Sequence, residues 1–367
     1  MDRVVGRRTK VAYPLAPRAE IGRGVEGRVY RAGDRCVKVL TSPLSADQVG
    51  KIEALANLGL KLGGVAWPIE VVTGGDADEP TGFVMELAAG ETLESLLDAR
   101  ATATIPVEAK VSIALGLART VADIHAHRGP RVVLGDVLKA GNLVVDVANT
   151  AAMLVDAASV SVFGYRIASG EVRDASSSLS TPGYVPREVL DNPRALPSHD
   201  ADRFALAVLL FELLFGKPPH EPRSSPQAVG LEPDDAVRRG LFFRWAKHPD
   251  FEAPRYDPVD LPDEVDRLFR AAFLATAVRP TAADWATALE AWLDDLTPEE
   301  EPPDVAPAPA PTSRLGALDR AIGIVAAAWI LLTLAQWAWQ RVMPGVPNPP
   351  ALPAKALGPR LFPEIFE

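Results

Sequence analysis

Apolar residues in this chain change their spacing several times, and each change marks an element. Cys36-Val37-Lys38-Val39 is a short β-branched run that predicts a strand. Val65-Ala66-Trp67-Pro68-Ile69-Glu70-Val71-Val72 and Gly82-Phe83-Val84-Met85-Glu86-Leu87 predict two more, joined by a turn rich in Gly and Asp. Residues 152–156 predict a further strand that ends on Asp156. Ser45-Ala46-Asp47-Gln48 is a capping-box pattern and starts a helix carrying Lys51, Ile52, Glu53, Ala54 and Leu55. From His199 to Leu214 the chain is so densely apolar that its helix should be buried on most sides. Gly216-Lys217-Pro218-Pro219 ends that helix. Arg279-Pro280-Thr281 precedes an amphipathic helix from Ala283 to Leu293.

The pattern breaks after Leu296. Residues 297–314 hold Pro-Glu-Glu-Glu-Pro-Pro-Asp and then alternating Ala and Pro, which forbids helix and predicts an extended linker. Residues 321–339 carry no charge, and only Thr333 and Gln336 are distinctly polar. A helix over this stretch would span roughly 28 Å, close to the hydrocarbon thickness of a bilayer. Trp337, Trp339 and Arg341 then suit an interfacial anchor. A single transmembrane helix is therefore expected within 315–341, followed by a Pro-rich tail over 342–367. Residues 1–20 carry charge and lack an apolar core, so no signal peptide is expected there.

Composition narrows the picture in two ways. The chain has 367 residues and a net charge of −10, which gives no electrostatic case for nucleic acid as a partner. Cys36 is the only cysteine, so no intrachain disulfide can form. The histidines show no metal-ligand spacing, and His125 and His127 are read as structural.

The candidate chemistry begins at Ile21-Gly22-Arg23-Gly24-Val25-Glu26-Gly27-Arg28-Val29-Tyr30, just before the Lys38 strand. Gly22, Gly24 and Gly27 lack a Cβ, so backbone N–H groups there can approach phosphate oxygens closely. Lys38 would add a point charge. Downstream, residues 131–142 read Arg-Val-Val-Leu-Gly-Asp-Val-Leu-Lys-Ala-Gly-Asn, and Asp156-Ala157-Ala158 follows the apolar strand. Ser180-Thr181-Pro182-Gly183-Tyr184-Val185-Pro186-Arg187-Glu188 comes next, then His199-Asp200-Ala201-Asp202 and Arg279-Pro280-Thr281.

In this order the segments resemble the eukaryotic-type protein kinase superfamily, in a divergent form similar to bacterial serine/threonine kinases. The resemblance covers about residues 12–296. It implies an α+β, two-lobed fold: a β-rich small lobe over 12–87 and a helical large lobe over 88–296, preceded by an extension over 1–11. It also implies ATP and Mg²⁺ as cofactors. Asp136 would orient the acceptor hydroxyl, beside Lys139. Asn142 and Asp156 would hold Mg²⁺. Gly22, Gly24, Gly27, Val29 and Lys38 would bind the phosphates, with Met85, Glu86 and Ala88 around adenine. Glu53, by position and charge, is the expected helix partner of Lys38. Thr181 would lie beside Asp136, Asp202 would brace the catalytic-loop backbone, and Glu188 would pair with Arg279.

The chain departs from the family pattern at three places. Leu134-Gly135 stands where the family has His-Arg, one extra residue separates Asp136 from Lys139, and Asp156-Ala157-Ala158 replaces Asp-Phe-Gly. The expectation is a membrane-anchored serine/threonine kinase whose catalytic domain faces the cytosol. Two alternatives remain open: a pseudokinase that binds nucleotide without turnover, and a small-molecule phosphotransferase. The docking-loop and Arg279 features argue against the second.

Overall fold

The computed structural model describes residues 2–297 except 25, 60–61, 75–78, 168, 178–179, 193, 246 and 275–277. Residues 298–367 lie outside the described residues, and with them nearly all of the expected linker, the transmembrane helix and the tail. Among the described residues no helix is long and apolar enough to cross a membrane.

The small lobe is one curled antiparallel sheet with a helix against it. Its strands are β1 (Arg3–Gly6), β2 (Ala12–Pro14), β3 (Glu20–Arg23), β4 (Gly27–Ala32), β5 (Arg35–Leu40), β6 (Pro68–Gly74) and β7 (Glu79–Glu86). They run in the spatial order β2-β1-β6-β7-β5-β4-β3. Helix α1 (Ala46–Gly59) lies between β5 and β6 in the chain. Its first turn carries the expected reciprocal cap. Gln48 N donates to Ser45 Oγ at 3.3 Å, and Ser45 N donates to Gln48 Oε1 at 2.8 Å. Val49, Ile52, Leu55 and Leu58 are its buried stripe.

Residues 2–11 are tied to the sheet. Strand β1 pairs with β6, with Val5 opposite Thr73 and Gly6 opposite Val72. The turn that follows is closed by Glu70, which is buried. Its carboxylate accepts from Arg8 N, Thr9 N, Thr9 Oγ1 and Tyr13 Oη at 2.6–3.4 Å. These donors overcome burial and hold the Glu70 carboxyl below its ordinary pKa. A buried acid satisfied this way fixes the start of the chain to the sheet.

The large lobe is built on helix α5 (His199–Phe215), whose residues from Phe204 to Phe215 are all buried. Ser198 caps its start by accepting from Ala201 N. Gly216 ends it with φ 70, and a Cβ there would meet Asp257 and Thr102 within 3.0 Å, so only glycine suits this C-cap. Around α5 lie α2 (Leu93–Asp98), α3 (Val107–Ala126), α4 (Arg187–Leu190), α6 (Pro233–Arg238), α7 (Asp263–Phe273) and α8 (Ala282–Leu296). Helix α8 begins with a capping box between Thr281 and Asp284, one residue before the expected start. Phe211 meets Trp245, Tyr256, Phe269 and Phe273 edge to face, which knits α5 to α7.

Two small sheets carry the loops of interest. One orders β8 (Glu91–Thr92), β10 (Leu143–Asp146) and β11 (Ala151–Leu154) as β11-β10-β8. The other orders β9 (Arg131–Val133), β12 (Ser161–Arg166) and β13 (Val172–Ala175) as β13-β12-β9.

Candidate active site

The segment after β9 turns sharply because Leu134 is buried and the next residue is glycine. Gly135 has φ +54, a region where any other residue would be strained. The turn is held from below by Asp202 of α5. Asp202 is fully buried and accepts from Leu134 N at 2.9 Å and Gly135 N at 2.7 Å. His125 Nε2, at the end of α3, lies 3.0 Å from the other lone pairs of Asp202 Oδ2, and its ring stacks on His199 at 4.0 Å. A buried carboxyl group without such partners would be costly to the fold. His125 thus adds, from α3, a third partner for the carboxylate that holds this turn.

Asp136 then stands at the mouth of the loop with two donors. Lys139 Nζ donates to Asp136 Oδ2 at 2.6 Å, and Thr181 Oγ1 donates to Asp136 Oδ1 at 2.6 Å. Lys139 also reaches Thr181 Oγ1 at 3.2 Å. The extra residue before Lys139 does not displace it. Val137 and Leu138 both turn inward and are fully buried, so the insertion is absorbed by the core. Asn142 Nδ2 donates to Asp136 O at 3.1 Å, which leaves its carboxamide oxygen as the available acceptor.

Asp156 faces this group from the end of β11. Its φ of 62 is left-handed, an uncommon state for a non-glycine residue and one found at functional sites. The carboxylate meets Lys38 Nζ at 2.5 Å and accepts from Ser159 Oγ at 2.9 Å. Lys38 also meets Glu26 Oε2 at 3.1 Å. Burial alone would lower the Lys38 pKa, but the two carboxylates win and raise it, so Lys38 stays an ammonium ion.

Glu53 is not the partner of Lys38. Its carboxylate pairs with Arg7 at 3.3 Å, and both side chains are about half exposed (48% and 53%). The reason is helical register. Glu53 lies two residues from Lys51 and so on the other side of α1. Lys51 is the residue that faces the site, one turn before the fully buried Leu55. The apolar stripe Val49-Ile52-Leu55 fixes that register and turns Glu53 away from the site, whatever its charge suggests.

The glycine segment forms the β3–β4 hairpin, with Gly22 opposite Val29. Gly24 N donates to Gly27 O at 2.9 Å and closes the turn, whose Val25 lies outside the described residues. Gly27 has a structural constraint of its own, since a Cβ would sit 2.2 Å from Val39 O on the neighbouring strand. Across the other edge of β5, Cys36 lies opposite Met85 of β7, and its Sγ approaches Glu86 O at 3.4 Å. Burial pushes the Cys36 thiol up to about 11, so it is an apolar filler rather than a nucleophile. Met85 is buried beside it, Glu86 is exposed, and Ala88 is half-buried in the strap that leaves β7.

Glu188 pairs with Arg279 through two contacts at 2.5 and 3.0 Å, and Asp200 completes the set at 2.5 Å. This ties the segment around α4 to the loop before α8. Two residues not singled out from the sequence also belong here. Tyr184 Oη donates to Glu212 Oε2 at 2.5 Å and accepts from Ala140 N at 3.1 Å. Full burial drives the Glu212 carboxyl up to about 8, so it is largely neutral near pH 7. Tyr184 thereby links the docking segment to the loop between Lys139 and Asn142.

The fold fits a two-lobed kinase-like architecture, with the loop of Asp136 and the Lys38 strand facing each other. The protein kinase domain family matches residues 69–261, and the chain belongs to that family. No curated protein matches the chain. The family match begins in β6, so Gly22 to Lys51 and Arg279 lie outside it. Protein kinase domains generally use ATP and Mg²⁺. The residues here fit a Mg²⁺ ion, which prefers one or two carboxylates plus phosphate oxygens. Asp156 offers a carboxylate, and Asn142 offers a carboxamide oxygen that accepts no hydrogen bond among the described residues.

Proposed function

We propose that this chain is a membrane-anchored protein kinase that transfers the γ-phosphoryl of ATP to serine or threonine hydroxyls of proteins. The observation that carries the reading is the triangle of Asp136, Lys139 and Thr181, with sides of 2.6, 2.6 and 3.2 Å. Thr181 holds Asp136 in one rotamer, and an acceptor hydroxyl in its place would give the same carboxylate oxygen its proton. Lys139 lies where an ammonium would offset charge on the transferred group. Lys38 and the β3–β4 hairpin would hold the phosphates, with Asn142 and Asp156 on Mg²⁺, which would neutralise charge on the phosphate oxygens. Catalysis in such a site is positioning plus electrostatics. The membrane anchor rests on the uncharged stretch over 321–339, and the need for cytosolic ATP puts residues 1–320 on the cytosolic side.

A second reading is a pseudokinase, favoured by one observation: no carboxylate of α1 reaches Lys38. The full-length chain in detergent, given labelled ATP and Mg²⁺ with generic protein acceptors, separates the two. Label on serine or threonine residues supports the kinase. Nucleotide binding with no transfer to itself or to acceptors supports the pseudokinase. Extraction of the full-length chain by alkaline carbonate without detergent would remove the membrane span from the reading.

A further inference from the structure

Lys51 is the charged group of the site that the reading above does not use. It projects from the inward face of α1 into a cavity of about 940 Å³, which Lys38, Glu26, Phe83 and Ser159 also line. Its Nζ donates to Ala158 O at 2.7 Å. Among the described residues no carboxylate lies within 4.0 Å of it, and the backbone carbonyl uses one of its three N–H groups. Burial pushes the Lys51 ammonium down to about 8, against the pull of the Asp156 and Glu26 carboxylates. That both acids act on it places it within electrostatic reach of the carboxylates that hold Lys38.

Asp47, Glu171, Asp174 and Arg173 line the same cavity, but Arg173 pairs with Asp47 and Glu171, and Asp174 accepts from Gly164 N. The two acids that act on Lys51, Glu26 and Asp156, are both engaged by Lys38. An ammonium left in a half-buried cavity without a counter-ion is unfavourable unless an anion joins it. Glu26 is half exposed and sits on the hairpin that would cover the phosphates. Its backbone carbonyl is tied to Thr41 N at 2.9 Å, and among the described residues Lys38 is the partner of its carboxylate.

We propose that Lys51 is a second phosphate-binding cation of this site, which contacts the terminal phosphate of the nucleotide from α1 while Lys38 contacts it from β5. Glu26 occupies the place on Lys38 that a phosphate would take, and the triphosphate displaces it. The inference rests on the reading that the site binds nucleotide. It differs from a Lys–Glu arrangement in sign: the helix contributes positive charge to the phosphates rather than a counter-ion to Lys38.

The test is calorimetric titration of the full-length protein in detergent with MgATP, MgADP and adenosine, for wild type, Lys51→Met, Lys51→Arg and Lys51→Glu. Wild type should bind ATP more tightly than ADP. Lys51→Met should weaken ATP about 10- to 100-fold, weaken ADP less and leave adenosine unchanged. Lys51→Arg should recover most of the ATP affinity. A thermal melt without nucleotide checks folding, and Lys51→Met should melt no lower than wild type, since it removes a buried charge. If wild type binds none of the three ligands, the nucleotide reading itself fails and the proposal with it. If wild type binds ATP and Lys51→Met binds it within twofold, only the proposal fails, and a lower melt would then mark Lys51 as a strut on Ala158. If Lys51→Glu binds ATP more tightly than wild type, α1 acts as a carboxylate donor to Lys38 and the proposal is overturned.

Discussion

Asp136 and Lys38 face each other across the candidate site, and their surroundings differ in kind. Asp136 rests on a loop whose backbone N–H groups are bonded to the fully buried Asp202, and its own carboxylate has two short donors from its own lobe. Leu134-Gly135 precedes Asp136, and the loop is held without a histidine or arginine at those two positions. Lys38 has no such scaffold. Its partners are Glu26 on a hairpin turn and Asp156 on a left-handed residue, and the helix beside it offers Lys51. The difference shows which constraints a sequence can relax. A buried carboxylate that satisfies backbone donors fixes a loop through main-chain atoms, so the flanking side chains can change without loss of the contact. An ammonium in a partly open cavity needs only some carboxylate near it, and any element within reach can supply one.

The sharpest break of this comparison is at Asp136. Asp136→Ala should lower phosphoryl transfer about 10⁴-fold, about 5.4 kcal/mol of barrier, because the acceptor hydroxyl loses its orienting base. Nucleotide affinity should change less than twofold, since Asp136 faces the acceptor. Single-turnover transfer and calorimetric binding check both statements. A parallel loss of binding would show that the two halves of the site are not separable.

The scaffold under Asp136 should be the next most sensitive place. Asp202→Ala leaves Leu134 N and Gly135 N buried without an acceptor, together with His125. The expected loss of stability is about 3 kcal/mol, read from the denaturant midpoint at unchanged slope. A loss below about 1 kcal/mol would mean that water replaces the carboxylate, and the claim of a rigid loop would fall.

A third prediction uses pH. Glu212 has its folded pKa raised to about 8 by burial, against an ordinary value of 4.5. Its neutral form therefore stabilises the fold fully below about pH 4.5, and that contribution is lost as pH rises through 8. In this window the wild type should lose up to about 1.4 kcal/mol of stability per pH unit more than Glu212→Gln, whose side chain does not ionise. Paired denaturation curves at pH 5, 6, 7 and 8 give the difference directly. Parallel curves would show that Glu212 is already charged at pH 5, and that the Tyr184 hydroxyl holds a carboxylate.

Much of the large-lobe half was legible through the family resemblance. It implied that Asp136, Lys139 and Thr181 lie together and that Glu188 pairs with Arg279, and these contacts are present. The buried character of α5 followed from its apolar density. Three things were not legible. The β1–β6 pairing depends on Glu70, which looks like any strand glutamate until four donors from residues 8–13 converge on it. The contact of His125 with Asp202 joins elements far apart in the chain. Charge type points to Glu53 of α1 as the Lys38 partner, whereas the contact depends on where a hairpin turn places Glu26.

The smallest expected effect is therefore at Glu53. Glu53→Gln should leave transfer and nucleotide affinity within twofold, because the side chain pairs with Arg7 on the exposed face of α1. Such a pair contributes at most about 1 kcal/mol and is screened by salt. Glu26→Gln is the informative partner experiment. It removes one of the two carboxylates on Lys38 while keeping the hairpin, and it should tighten MgATP a few-fold by removing the group that the phosphates must displace. A drop in turnover for Glu53→Gln with none for Glu26→Gln would reverse the assignment. It would require α1 to rotate by about half a turn on nucleotide binding, exchanging Lys51 for Glu53 at the site and burying the wrong face of the Val49-Ile52-Leu55 stripe.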